Sequence, residues 1–269
     1  MTKYQIIAWI TGPHAKQKLQ LLNKNGELWS TFPEFIPMLE PHDSPYHMEE
    51  DETGNTIWAH TRLVFNYACD ATRDLHFRDR LIIRLAALFH DSGKPFVRVK
   101  KERFGQMISI FNRHDQKSAE IAEKRLSELG FLDEITGVVS YLCGHHMRFH
   151  DLSKMKDVAK IKRMIGCPCF RQLRILCEAD ENATVNSATI NPLNPHRIGL
   201  VCNNYLQQYG RLLPAPIITN LNLIKAGLPS KHFEKALQVT YDQQLRGQTD
   251  FNKLLKFAVG YVKTKEKEN

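Results

Sequence analysis

The chain has 269 residues, 42% hydrophobic and 25% charged, with a formal charge of +8. That length can bury a sizeable core, the composition excludes a disordered or low-complexity chain, and no apolar run approaches the roughly eighteen residues that cross a bilayer. The basic balance favours an anionic partner such as RNA or a nucleotide.

The opening "MTKYQIIAWITGPHAKQ" lacks the basic start and small-residue cleavage site of an export signal. Six scattered cysteines then read as reduced thiols, and a cytoplasmic location is expected. Residues 1 to about 55 read as irregular, because Pro33, Pro37, Pro41 and Pro45 interrupt any long element. A helix begins at Ile57, and His60, Leu63, Val64 and Tyr67 repeat at helical spacing on its inward face. A second helix, "RDRLIIRLAALFHD", is apolar enough to be buried. It ends at His90 and Asp91, where Gly93 is expected in the left-handed conformation and Pro95 prevents continuation. "FVRVKKERFGQMISIF" alternates like a small hairpin turning at Phe104 and Gly105. Helices are expected from His114 to Leu129 and over 132–143, 155–165 and 169–182. After a Pro-rich connection at 186–196, further helices are expected near 196–211, 219–226, 230–246 and 250–263, with Thr219 and Asp250 as N-caps.

The inward faces and helix ends collect His60, His90, Asp91, His114, His145, His146 and Asp180. Each has a plain reading alone: His60 as a core histidine, His145 and His146 as a polar helix end, Asp180 as a helix-end carboxylate. Together, imidazoles and carboxylates from several helices suit first-row divalent metals. Asp91 can place one oxygen on each of two ions, and such a pair, roughly 3.5–4 Å apart, is suited to phosphoryl chemistry. Lys94 and Arg148 are the cations placed to hold a phosphate. No P-loop, Rossmann glycine pattern or G-x-S-x-G elbow offers a competing chemistry.

The order His60, His90-Asp91, Asp180 resembles the HD superfamily of metal-dependent phosphohydrolases, and the added His114, His145 and His146 resemble its binuclear branch. "YHMEEDETGNTIWAHTRLVF", "HDSGKPF", "FNRHDQKSAEIAEKRL" and "GHHMRFHD" are similar to the HD region of bacterial tRNA nucleotidyltransferases (CCA-adding enzymes). Residues 215–249 resemble the helical C-terminal segment of those enzymes. The nucleotidyltransferase head has no counterpart in the first 50 residues, so CCA addition does not carry over.

The resemblance implies an all-α fold: an HD-domain helical bundle with a small β-hairpin and a C-terminal helical segment. It divides the chain into an N-terminal extension (1–40), an HD phosphohydrolase domain (41–190) and the C-terminal segment (191–269). It implies that His60, His90, Asp91 and Asp180 bind one ion, and that Asp91, His114, His145 and His146 bind a second. The ions would be Mn, Fe, Ni, Co or Mg. Asp91 and Lys94 would be catalytic, and Lys94, Arg148 and His47 would meet the substrate. The expected reaction is attack of a metal-bound hydroxide on a nucleotide or RNA-end phosphate, including 2′,3′-cyclic and 2′-phosphates, with RNA or tRNA as partner and no membrane. Two other readings stand beside it: an HD-type di-iron oxygenase, and a tRNA- or RNA-binding module with a vestigial site.

Overall fold

The computed structural model describes residues 1–42, 56–103, 105–149, 156–184, 197–210 and 213–267. His47 lies outside them, as do Phe104, expected at the turn of the hairpin, and the Pro-rich connection expected at 186–196. The fold is all-α apart from one antiparallel hairpin, as expected. No helix among the described residues is long and apolar enough to cross a membrane.

The N-terminal region departs from the irregular structure expected of it. Helices α1 (Lys3–Thr11), α2 (Ala15–Lys24) and α3 (Glu27–Thr31) precede a 3₁₀ segment, Pro33–Leu39. All four prolines lie after α3, so none opposes these helices. Pro33 occupies the first position of the 3₁₀ segment, where a missing N–H costs nothing. A capping box between Thr2 and Gln5 starts α1.

Helices α4 (Ile57–Ala71) and α5 (Phe77–Phe89) follow, then a single helical turn, α6 (Lys94–Val97). Strands β1 (Val99–Arg103) and β2 (Gln106–Ile110) pair with Val99 opposite Ile110. Helices α7 (His114–Glu128), α8 (Asp133–His145), α9 (Val158–Ile165) and α10 (Phe170–Ala183) complete the middle of the chain. The buried stripe of α4 runs through Ile57, His60, Thr61, Val64, Phe65 and Ala68. His60 faces inward as expected, whereas Tyr67 is 43% exposed because the stripe is centred a third of a turn away.

Every residue of α5 from Leu81 to Phe89 is buried, so this helix forms the axis of its unit. Arg84 is the charged exception within that run. Its guanidinium donates to Ile10 O (2.8 Å), Gly12 O (3.2 Å), Cys69 O (3.1 Å) and Thr72 Oγ1 (2.8 Å). It thereby satisfies carbonyls at the C-terminal ends of α1 and α4, which have no intrahelical donor. Phe32 and Phe35, from the N-terminal region, pack their rings against Phe89, and Phe35 also stacks on Trp58.

Two compact units divide the chain, Met1–Ser153 with Cys169–Val201, and Lys154–Pro168 with Cys202–Asn269. The first contains α1–α8 and α10. The second contains α9, α12 (Asn220–Lys225), α13 (Phe233–Leu245) and α14 (Phe251–Lys267), while α11 (Arg197–Tyr209) spans the division. The second unit has its own core of Ile218, Leu223, Phe233, Ala236, Leu254, Ala258 and Val262. The expected caps are present: Thr219 forms a capping box with Asn222, and Asp250 Oδ1 accepts from Lys253 N at 2.8 Å. The six cysteines are free thiols.

Candidate metal centre

The site is assembled where helices end. His90 caps the C-terminus of α5, Asp91 follows it, His114 opens α7, and His146 follows α8. His60 and Asp180 project from the buried faces of α4 and α10.

Three of the histidines share one local device. Nδ1 of His90 lies 2.9 Å from Ala87 O, Nδ1 of His114 lies 2.7 Å from Phe111 O, and Nδ1 of His146 lies 2.7 Å from Cys143 O. Each partner is the carbonyl three residues back. A carbonyl only accepts, so each Nδ1 carries a hydrogen and Nε2 is the nitrogen turned toward Asp91. This is the outer hydrogen bond that orients and strengthens a histidine ligand.

The Nε2 atoms of these three histidines and of His60 converge on Asp91, whose oxygens divide the four. Oδ2 lies 3.3 Å from His90 Nε2 and 3.7 Å from His60 Nε2. Oδ1 lies 3.3 Å from His114 Nε2 and 3.7 Å from His146 Nε2. Asp180 Oδ1 closes the first group, at 2.9 Å from His60 Nε2 and 3.8 Å from His90 Nε2. All of these side chains are buried. Two cation-sized groups result, His60–His90–Asp91 and Asp91–His114–His146, with ligand atoms within 4.8 Å of one another in each.

The donor chemistry fits positive charge in both groups. His114 Nε2 and His146 Nε2 are 3.3 Å apart, and both rings have committed their hydrogens to carbonyls. When both rings are neutral, two lone pairs face each other beside a carboxylate oxygen. Burial, and then the neighbouring His90 and His114, push the pKa of His146 down to about 3, which keeps the ring a neutral donor. His90 Nε2 and Asp91 Oδ1 are buried without an aligned hydrogen-bond partner among the described residues. Burial opposes ionisation of Asp91, yet the adjacent His90 and Lys94 outweigh it and hold the carboxyl well below the ordinary carboxylate range.

Residues 57–181 match the family model of the HD domain. The match runs from before His60 to beyond Asp180, so the whole of the converging set lies inside the matched stretch, and it supports membership of the HD superfamily. HD domains bind divalent metals, and the domain implies hydrolase-type activity that depends on them. No curated protein matches the chain.

The matched stretch brings together every expected ligand except His145. That ring stacks on Tyr141, with centroids 3.9 Å apart and planes 16° from parallel, and its Nδ1 lies 2.8 Å from Tyr141 O. The cause is helical geometry. Consecutive residues point roughly 100° apart, and His146 continues the buried line of Val139 and Leu142 while His145 continues the line of Val138 and Tyr141. His146→Ala is expected to lose one ion and His145→Ala to retain both, as read by elemental analysis of metal-replete protein. Equal loss in the two variants would return His145 to the ligand set.

Lys94 lies in the centre of the site. Its Nζ is 2.6 Å from Asp91 Oδ2, and the Phe111 ring centroid is 5.7 Å away. Arg148 is exposed in the 3₁₀ turn that begins at His146. Gly93 corrects a sequence expectation: its φ of −79° and ψ of −20° are right-handed. Its lack of a side chain has a different reason. A Cβ there would meet His114 O at 2.4 Å and Ser118 N at 2.6 Å. Gly93 N also donates to Ser118 Oγ at 2.8 Å, which holds the turn after Asp91 against the first turns of α7.

Sequence reasoning missed this supporting layer. Phe111 both accepts from His114 and lies beside Lys94, and Cys177 Sγ donates to His146 O at 3.2 Å. Carbonyl acceptors three residues before a histidine are a backbone feature, with no side-chain pattern to announce them.

Proposed function

We propose that the HD domain is a binuclear-metal phosphohydrolase acting on nucleotides or RNA ends, with 2′,3′-cyclic and 2′-phosphates as its substrates. The observation that carries this reading is the division of Asp91, one oxygen toward His60 and His90 and the other toward His114 and His146. Two divalent cations held there would supply an acidified water and neutralise charge on a phosphoryl group. His60, His90, Asp91 and Asp180 would hold one, and Asp91, His114 and His146 the other.

The chain's own contribution is preorganisation. The carbonyl contacts of His90, His114 and His146 fix which nitrogen faces inward, and burial keeps the carboxylate of Asp91 away from bulk water. Lys94 brings an ammonium to the same point and would hold a phosphate oxygen. Arg148 supplies a second cation in the adjacent exposed turn. The similarity of several segments to the HD region of CCA-adding enzymes supports an RNA-related substrate.

The test uses the full chain with Mn²⁺, Ni²⁺, Co²⁺ or Mg²⁺ supplied in turn, against 2′,3′-cyclic AMP, 2′-AMP, 5′-AMP and an RNA ending in a 2′,3′-cyclic phosphate. Hydrolysis of the cyclic or 2′-phosphates is the expected result. If none is cleaved and turnover instead requires oxygen, the di-iron oxygenase reading replaces this one.

A further inference from the structure

The positive charge of the protein is segregated. The unit formed by 154–168 and 202–269 contains fifteen Lys and Arg against six Asp and Glu, more than the whole formal charge of +8, so the unit holding the metal centre is slightly acidic.

Within the basic unit, α14 has two distinct faces. Leu254, Ala258 and Val262 are buried in the unit's core. Lys253, Lys256, Phe257, Gly260, Lys263 and Thr264 are exposed and recur at helical spacing along the other face. The helix has no carboxylate between Phe251 and Lys265. From Lys253 to Lys263 the face extends roughly 15 Å. Phe257 is 40% exposed and Phe251, at the start of the helix, is 42% exposed.

Gly260 is the second, independent observation. Glycine in a helix interior is destabilising relative to alanine. Here a Cβ would meet nothing within 4 Å, so packing among the described residues does not call for it. Gly260 leaves a gap with no side chain between an exposed phenylalanine and a lysine, beside the Thr264 hydroxyl that donates to its carbonyl at 3.0 Å, and such a gap suits close approach by a ligand.

From these features we infer that the outward face of α14 is a docking surface for single-stranded RNA, its lysines on the phosphates and Phe257 stacked on a base. Positive charge tracks a nucleic-acid backbone, and an exposed aromatic ring accepts any base face. Lysine without interleaved carboxylates matches a polyanion, and the exposed ring of Phe257 among those lysines favours a nucleic acid over an acidic polypeptide. The choice of RNA rests on the proposed substrate, whereas the surface itself belongs to the other unit and is tested without catalysis.

The experiment measures fluorescence anisotropy of a labelled single-stranded RNA lacking a terminal phosphate, bound by the full chain over a range of NaCl. Wild type should bind with a strong salt dependence. Lys253→Gln, Lys256→Gln and Lys263→Gln combined should reduce the slope of log K against log salt by about 2, from roughly 0.7 per lost phosphate contact on a single strand. Phe257→Ala should weaken binding about tenfold at fixed salt. Gly260→Ala should raise the thermal midpoint yet weaken binding, a combination that a folding defect does not produce. Hydrolysis of 2′,3′-cyclic AMP should be unchanged in all three proteins, so loss of the docking surface and failure of the hydrolase reading are separately visible. An unchanged slope in the triple variant overturns the proposal. So does binding to phosphatidylserine vesicles or poly-glutamate with no binding to the RNA.

Discussion

Asp91→Ala protein is expected to purify with no more than trace metal and to show no detectable turnover in any supplied metal, while its helical circular dichroism persists. Asp91 is the one residue shared by both ligand groups, so its loss removes a ligand from each. The substitution also leaves the Lys94 ammonium buried without its carboxylate, and breaking a buried pair costs about 3–5 kcal/mol. Asp91→Asn separates these effects. The carboxamide keeps the shape of the side chain but offers one ligating oxygen, so it can serve one group and cannot join two. Elemental analysis should then find at most one ion per chain. Two ions and undiminished hydrolysis in Asp91→Asn would show that Asp91 does not bridge.

Lys94→Met is expected to keep both ions and lose turnover by roughly a hundredfold or more, the scale found when one preorganised electrostatic donor is removed from a reacting centre. Methionine retains the length and the packing beside Phe111 while deleting the charge. The ammonium now contacts Asp91 Oδ2, the same oxygen that faces His60 and His90. A cation held by those groups would compete for that oxygen and leave Lys94 for the substrate. The decisive comparison is metal content against kcat. If Lys94→Met loses metal in parallel with activity, Lys94 acts by orienting Asp91 and not by holding phosphate.

The sequence displays most of this site, and the limits of that display are physical. His60 and Asp180 lie on apolar stripes, and a polar residue on such a stripe is visible from periodicity alone. His90 and Asp91 stand out because an entirely apolar helix stops at them. His145 and His146 were indistinguishable as an adjacent pair, although the spacing from Val139 and Leu142 contained the answer: one of two neighbours on a helix must turn away. Gly93 looked like a residue chosen for its backbone angle. Its real constraint is the approach of α7, a contact made by residues more than twenty positions later, which no local pattern conveys. The N-terminal helices were hidden for the opposite reason. The prolines cluster after α3, whereas the earlier part of the region contains none before Pro13.

A fragment trimmed to residues 57–181 would retain every residue that converges on Asp91 and still be a poor vehicle for studying it. Its central helix would keep Arg84 but lose Ile10 O and Gly12 O, two of the acceptors that satisfy a guanidinium inside apolar surroundings. Phe89 and Trp58 would lose the rings of Phe32 and Phe35 and open an aromatic surface to water. Such a fragment should aggregate on expression. The first forty residues thus act as a stopper on the axis helix, and any dissection that aims to keep metal chemistry intact has to start upstream of α1.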